Sequence, residues 1–312
     1  MPDRPQLEYP TFMGLPIGMV DDLRPGQVCV LGAAEATPYD PAEASHSALA
    51  PGAIRAASNQ FAGQLKQFDF DLGRTLLEHG READWIGVDI GDVRTRPGDA
   101  AGNRERIAAT VSDVLARGAF PLVLGGDDSV PIPVLAGYHD FGPVTVVQID
   151  AHVDWGDVIR GEPNGYGSPM RRASEMPWVR GMLQVGIRGL GSGEAWQHKD
   201  ARAWGDQIVT AAEWRREGVD RLLDRRRPGE RFVLSIDCDG IDPAVFPAVA
   251  MPTPGGLTYG DCLDLLHGLA DRGRIVGLIL AEYVPEFDDT RRLCALTAAR
   301  LCAVAAGLMR NG

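Results

Sequence analysis

The feature that most constrains this chain is a repeated one: a run of Val, Ile and Leu that ends in carboxylates. FPLVLGG at 120–126 is followed by Asp127, Asp128 and Ser129. PVTVVQ runs into Asp150, His152 and Asp154, RFVLSI into Asp237 and Asp239, and RIVGLILA into Glu282. Apolar runs with little polar alternation are strands buried on both faces, the habit of parallel sheets. The full set of candidate strands is 27–33, 84–93, 120–126, 143–150, 182–189, 231–237 and 274–280. Amphipathic segments at 50–61, 104–117, 210–218, 258–272 and 289–309 read as helices between them, with Thr258 and Asp289 as N-caps and Gly273 as a stop. This alternation predicts a three-layer α/β/α sandwich around a mainly parallel sheet, with residues 1–24 as an arm and 25–312 as one domain.

Composition narrows the partners. The net charge is −12 and the pI about 5.0. Such a surface repels phosphate backbones, so no nucleic acid is expected, and it suits a neutral or cationic ligand. No apolar run reaches the ~18 residues that span a bilayer, so no membrane is expected either. The first ten residues lack the apolar core of a signal peptide. The cysteines are five in number, Cys29, Cys238, Cys262, Cys294 and Cys302, with no CxxC spacing. They read as small buried hydrophobes in a reducing cytoplasm.

Open α/β sheets bind ligands at the carboxyl ends of their strands, where these acidic groups fall. A spacing of two residues puts side chains on one side of an extended chain. Asp150, His152 and Asp154 can therefore converge, and so can Asp237 and Asp239. Like charges gathered at the edge of a core are costly without a cation among them. Two divalent ions balance the set. Oxygen donors with one imidazole suit Mn²⁺, with Ni²⁺, Co²⁺ or Zn²⁺ as alternatives. A single Asp of this kind is more often a turn former or cap, but four acidic strand ends together argue for a metal centre.

The pattern resembles the ureohydrolase family, which includes arginase, agmatinase and the guanidino-acid hydrolases. The family's GGDHS stands here as GGDDS at 125–129, DAHxD is intact at 150–154, and SxDxDxxDPxxxP is intact at 235–247. PTPGGLT at 252–258 and GIRG at 186–189 match as well, while TFMGLP at 11–16 and PGAIRAAS at 51–58 look most like the agmatinase branch. The resemblance implies an arginase-type fold and two metals, usually Mn²⁺. It also implies that Asp150 and Asp237 bridge both ions, Asp154 binds the first, and His152 and Asp239 bind the second. Asp128 occupies the position of the family's remaining ligand, a histidine on the first metal. Glu282 would grip a guanidinium.

Three departures stand out. Asp128 makes the first site more negative, which holds a cation but weakens it as a Lewis acid; alternatively Asp128 caps the following segment and the first site is empty. Tyr166, in YGSPM at 166–170, stands where the family has a histidine thought to shuttle protons. With an ordinary pKa near 10 it is a poor shuttle at neutral pH, and it can instead shape the pocket or stack on a planar cation. Met251 makes the stretch at 247–252 more apolar than the family's PGTGTP. His46, His79, His139, His198 and His267 lie outside the motifs and read as ordinary surface or core residues.

The resemblance implies a metal-dependent amidinohydrolase that releases urea and an amine from a small cationic guanidino substrate. It implies a homo-oligomer, trimer or hexamer, with the helix around 291–309 either at an interface or covering the sheet. The altered positions support a second reading, a weak or inactive subunit that supports an active paralogue in a hetero-oligomer.

Overall fold

The structure, a computed structural model, describes residues 9–40, 42–77, 86–224 and 228–309. Its strands are β1 (Val28–Ala33), β2 (Phe68–Asp69), β3 (Arg74–Thr75), β4 (Gly87–Asp92), β5 (Phe120–Gly125), β6 (Val144–Ile149), β7 (Val179–Ile187), β8 (Gln207–Thr210), β9 (Glu230–Asp237) and β10 (Gly273–Ala281). The helices are α1 (Ala50–Ser58), α2 (Ala100–Ala116), α3 (Pro131–Ala136), α4 (Pro169–Ser174), α5 (Ala195–Trp204), α6 (Ala211–Leu223), α7 (Tyr259–Arg272) and α8 (Leu293–Met309).

Eight strands make one sheet in the order β4-β1-β5-β10-β9-β6-β7-β8, and all its pairings are parallel. Every residue of β1, β5 and β6 is buried, as runs without polar alternation require. Helices α1, α6, α7 and α8 pack in succession, and α2, α3 and α4 form a second packed group. The result is the α/β/α sandwich that the alternation predicts.

The sheet order positions the site. The chain lays down β1, β4 and β5, leaves a gap, and continues with β6, β7 and β8 beyond it. β9 and β10 then return to fill the gap, so β5, β10, β9 and β6 lie side by side. These are the four strands whose runs end in carboxylates, and parallel pairing brings all four endings to the same edge of the sheet.

Some expectations shift. β7 begins at Val179 rather than at 182, α2 begins at Ala100 with Asp99 as its cap, and α6 continues past Gly218 to Leu223. The hairpin of β2 and β3 and the elements β8, α3, α4 and α5 are too short or too weakly periodic to read from the sequence. Thr258 caps α7 as expected, accepting from Asp261 N, and Gly273 follows its last residue. α8 starts at Leu293, later than expected, but Asp289 still serves as a cap, accepting from Leu293 N at 3.1 Å, and Asp288 accepts from the N–H groups of Cys294 and Ala295. Its small residues, from Cys294 through Ala298 and Cys302 to Ala306, are buried against α1, α7 and β10, so this helix covers the sheet. All five cysteines are buried and free. No helix among the described residues is long and apolar enough to cross a membrane.

The described part of the arm, from Tyr9, is tied into the core. Phe12, Met13, Leu15 and Leu23 are buried, and Phe12 N donates to Asp89 Oδ2 at 2.8 Å. Asp89 is held from α1 by Arg55, with Nε to Oδ2 at 2.8 Å and Nη2 to Oδ1 at 2.9 Å, and both side chains are fully buried. Arg55 also reaches Asp92 Oδ1 at 2.5 Å, and the Tyr9 hydroxyl donates to the other oxygen of Asp92. The arginine of PGAIRAAS is thus a buried tie between α1 and the edge strand.

Arg55→Met should cost about 3–5 kcal/mol, since it strands Asp89 as an unpaired buried charge. Chemical denaturation measures this, and a loss below about 1 kcal/mol would mean that Asp89 finds another partner. The β2–β3 hairpin is held differently. Arg300 of α8 grips Asp69 with two bonds of 2.7 and 2.8 Å. Burial pushes the Asp69 carboxyl up, but Arg300 and two backbone N–H groups outweigh it, and the pKa lies below the ordinary value. A depressed folded pKa stabilises above the unfolded value of ~3.9 and loses that contribution as pH falls through the folded one. Asp69→Asn should therefore be less stable than wild type at pH 7, with the gap closing as pH drops below 4.

Candidate metal centre

The centre is built at the ends of β5, β10, β9 and β6. Asp150 and Asp237 directly end β6 and β9, while Asp128 and Glu282 stand just past β5 and β10. Two backbone features turn the chains inward. Asp154 has φ 47° and Glu282 φ 63°, left-handed values that cost a non-glycine residue of order 1 kcal/mol or more and gather at functional sites. Gly240 lets the end of β9 approach β6: a Cβ there would lie 2.5 Å from Asp150 N.

Among the described residues, two trios can each offer ligand atoms within 4.8 Å of one another. One is Asp128, Asp150 and Asp154; the other is Asp150, His152 and Asp239. Asp150 belongs to both. Asp237 lines the same cavity but falls outside both trios, and one of its oxygens accepts from Asp239 N at 2.8 Å.

The donors around these carboxylates are few. Gln148 Nε2 donates to Asp150 Oδ2 at 2.6 Å and to Asp154 Oδ2 at 3.0 Å. Gln184 fixes that amide in turn, donating to Gln148 Oε1 at 2.5 Å. His152 Nδ1 lies 3.1 Å from Asp239 Oδ2 and 3.3 Å from Asp150 Oδ1. Asp128 is 1% exposed, and neither of its oxygens has a hydrogen-bond partner. Asp128 is therefore no cap. Asp127 does that work, accepting from Ser129 N at 3.0 Å.

Burial raises the Asp128 carboxyl well above the ordinary range, and the charge of Asp154 raises it further. Asp150 and Asp237 are raised the same way, by burial first and then by neighbouring carboxylates. Such a set must take up protons or cations. Two convergent trios of hard oxygen donors, one imidazole and an orphaned, fully buried carboxylate fit divalent metal ions.

Glu282 stands beside the trios. Its Oε1 accepts from Asp128 N at 2.8 Å and its Oε2 faces His46 Nε2 at 2.6 Å. Burial pushes Glu282 up, and His46 opposes this. His46 is thus part of the site and not an ordinary surface histidine. It lies in a loop of small polar residues with no motif, so only its residue type could have flagged it. Burial would lower the His46 pKa, but Glu282 raises it more. Tyr166 closes the wall, packed edge-on against His46 with ring centres 5.7 Å apart and against Tyr39 at 4.3 Å. Burial raises the Tyr166 hydroxyl above its ordinary value. Among the other histidines, His139 and His198 are on the surface, His267 bonds Asp71 O at 2.7 Å, and His79 lies outside the described residues. The cavity is about 700 Å³ and also takes in Trp155, Ile159, Leu190 and Met251.

If Gln148 organises the first trio, Gln148→Leu should weaken metal binding roughly 10- to 100-fold, the usual cost of losing a group that orients ligands. Titration of Mn²⁺ against a competing chelator measures this. An unchanged affinity would mean that the carboxylates order themselves.

A sequence profile described as the arginase family matches residues 28–307. The chain is 32% identical over 292 residues to proclavaminate amidinohydrolase of Streptomyces clavuligerus, covering 90% of this chain and 87% of that one. A solved structure of proclavaminate amidinohydrolase from Streptomyces clavuligerus superposes with a TM-score of 0.81 at 28% identity, over 99% of each chain. Arginase 1, mitochondrial, of Arabidopsis thaliana is 32% identical over 227 residues, 69% of this chain; the match spans 64% of that relative's length.

Proposed function

Because the chain belongs to the arginase family, we propose that it is a metal-dependent amidinohydrolase, converting a guanidinium and water into urea and an ammonium ion. The observation that carries this reading is the pair of trios sharing Asp150, beside a cavity that holds Glu282. Asp128, Asp150 and Asp154 would hold one divalent cation and Asp150, His152 and Asp239 the other, with Asp237 as a further donor. Mn²⁺ suits the oxygen-rich set, and Ni²⁺ is the alternative. When bound, such ions supply Lewis acidity, which makes a nucleophile of water near neutral pH.

The chain's own groups do the rest. Glu282 orients the planar cation: each of its oxygens keeps a lone pair after meeting Asp128 N and His46. Two parallel bonds from one guanidinium are therefore available to it. His46 holds Glu282 in place and keeps a proton at Nε2, near where an amine would depart. Tyr166 acts as a wall that limits water, since a hydroxyl raised by burial releases no proton at neutral pH. Asp128 would hold the first cation but lower its acidity relative to a histidine, which would place the rate optimum on the alkaline side.

Urea release from a panel of guanidino compounds, with Mn²⁺ supplied, tests the reading. Glu282→Gln should lower kcat/KM at least 100-fold, as loss of a buried charged partner does. His46→Asn should lower it about 100-fold, within the range of a lost proton donor, while Tyr166→Phe stays within about threefold. If wild type releases no urea, and restoring both family histidines in Asp128→His with Tyr166→His does not awaken it, the isolated chain is no hydrolase. The supporting-subunit reading then takes over.

A further inference from the structure

The cavity has two unlike ends. Its carboxylates are sunk, with Asp128 1%, Asp237 3% and Glu282 6% exposed. The exposed part of its lining is mostly apolar: Leu190 is fully exposed and Met251 is 58% exposed, with Glu194 as its acidic member. Ile159 continues that wall, while Trp155 borders the cavity as a buried residue whose indole N–H donates to Asp200 at 2.8 Å. Leu190 is carried out by a glycine on each side, with Gly189 at φ 76° and Gly191 at φ 94°, so the backbone holds an apolar side chain at the entrance. A leucine left wholly in water gains nothing from folding, and an apolar partner there gives it a use.

The cavity also lacks a group that this kind of site would need for certain ligands. No Lys or Arg is among its described lining residues. Arg188 is committed elsewhere, donating to the carbonyls of Asp239, Gly240 and Thr253. Arg160 stacks over Tyr39 with 5.7 Å to the ring centre and does not line the cavity. A ligand tail ending in a carboxylate would find sunken acidic groups, apolar Leu190 and Met251, and a further carboxylate at Glu194. Glu194 is on the lining, but its carboxylate is engaged by the Trp196 indole N–H at 2.9 Å and its backbone N–H by Gln197. One accepted bond leaves that carboxylate lone pairs, so an ammonium tail is the competitor that the test must include.

We propose that the site takes guanidines with an uncharged, apolar tail, read by Leu190 and Met251, and discriminates against tails that end in a carboxylate. This rests on the amidinohydrolase reading, since the guanidinium end must sit against Glu282. The departure at Met251, which makes the 247–252 stretch more apolar, then forms part of a specificity surface.

Three guanidines of matched length test it: n-pentylguanidine, 4-aminobutylguanidine and 4-guanidinobutyrate, each titrated calorimetrically into the Mn²⁺-supplemented full chain, with released amines quantified by chromatography. Pentylguanidine should bind at least tenfold tighter than either charged compound, the gain from a few methylenes leaving water. Its advantage should collapse to within about threefold in Leu190→Asn/Met251→Asn, exposed positions where the change does not threaten folding. Guanidinobutyrate binding as tightly would overturn the proposal, most directly if Arg160→Gln then abolished that binding. Aminobutylguanidine binding tightest would overturn it in favour of Glu194. A tail preference that survives the double variant would also overturn it. If none of the three gives heat or amine while another guanidine of the panel releases urea, or if a charged tail is preferred, the tail inference fails alone; silence on the whole panel, in wild type and in the double histidine variant, sinks the amidinohydrolase reading and this inference with it.

Discussion

The structure turns on the electrostatic cost of gathering buried carboxylates at one edge of a sheet. Asp128, Asp150, Asp154, Asp237, Asp239 and Glu282 are all buried or nearly so, and no Lys or Arg is among the described residues lining the cavity that all of them but Asp150 border. In a medium of low dielectric that arrangement is tolerated only when charge is neutralised on the spot. The rest of the site follows from it. Gln148 is placed where one amide serves two carboxylates. His152 turns its ring nitrogen toward two more. The left-handed backbone at Asp154 and Glu282 spends conformational energy to aim side chains that would otherwise point away.

The sheet order makes this gathering possible. Were β9 and β10 at an edge, the four acidic endings would be spread over the width of the sheet. Their return to the middle brings the endings together, and glycines permit the contact: a Cβ on Gly125, at the end of β5, would lie 2.6 Å from Leu280 O of β10. Far from the site, Arg55 shows the opposite solution to a buried carboxylate. Asp89 there is matched by a fixed guanidinium in two-pronged geometry, which leaves no valence for a ligand. The same chain thus contains a satisfied buried acid and a set of unsatisfied ones, and only the latter has chemistry to offer.

Much of this was legible in the sequence, for physical reasons. β1, β5, β6, β9 and β10 match the apolar runs to within a residue at each end, because strands buried on both faces admit no polar residue to blur the signal. β8 spans four residues and α3 and α4 six each, too short for a period to show. The acidic residues announced themselves by clustering at strand ends. Gln148 and Gln184 did not, because a lone amide inside an apolar run looks like an imperfection in the strand. Asp127 and Asp128 could not be told apart by position: only the folded loop shows that Asp127 accepts from Ser129 N while Asp128 lines the cavity. His46 was invisible for a different reason. Its partner is 236 positions away, and nothing in its own loop implies the contact.

That contact changes how the altered site reads. Taken alone, Asp128 and Tyr166 remove two imidazoles relative to the family pattern and leave a site too acidic and without a proton carrier. His46 returns one imidazole to the cavity, on the side of Glu282 rather than on the side of the first trio. It packs edge-on against the tyrosine that stands in the usual histidine's place. Glu282 therefore divides its two oxygens between a backbone N–H of the metal-side loop and a ring nitrogen of the opposite wall. A carboxylate held from both sides has little freedom to turn, and its remaining lone pairs keep one orientation. Decay by random substitution would leave Glu282 solvated or swung away once its neighbours changed. Here Glu282 is instead buried and held at both oxygens, with the His46 imidazole on one of them.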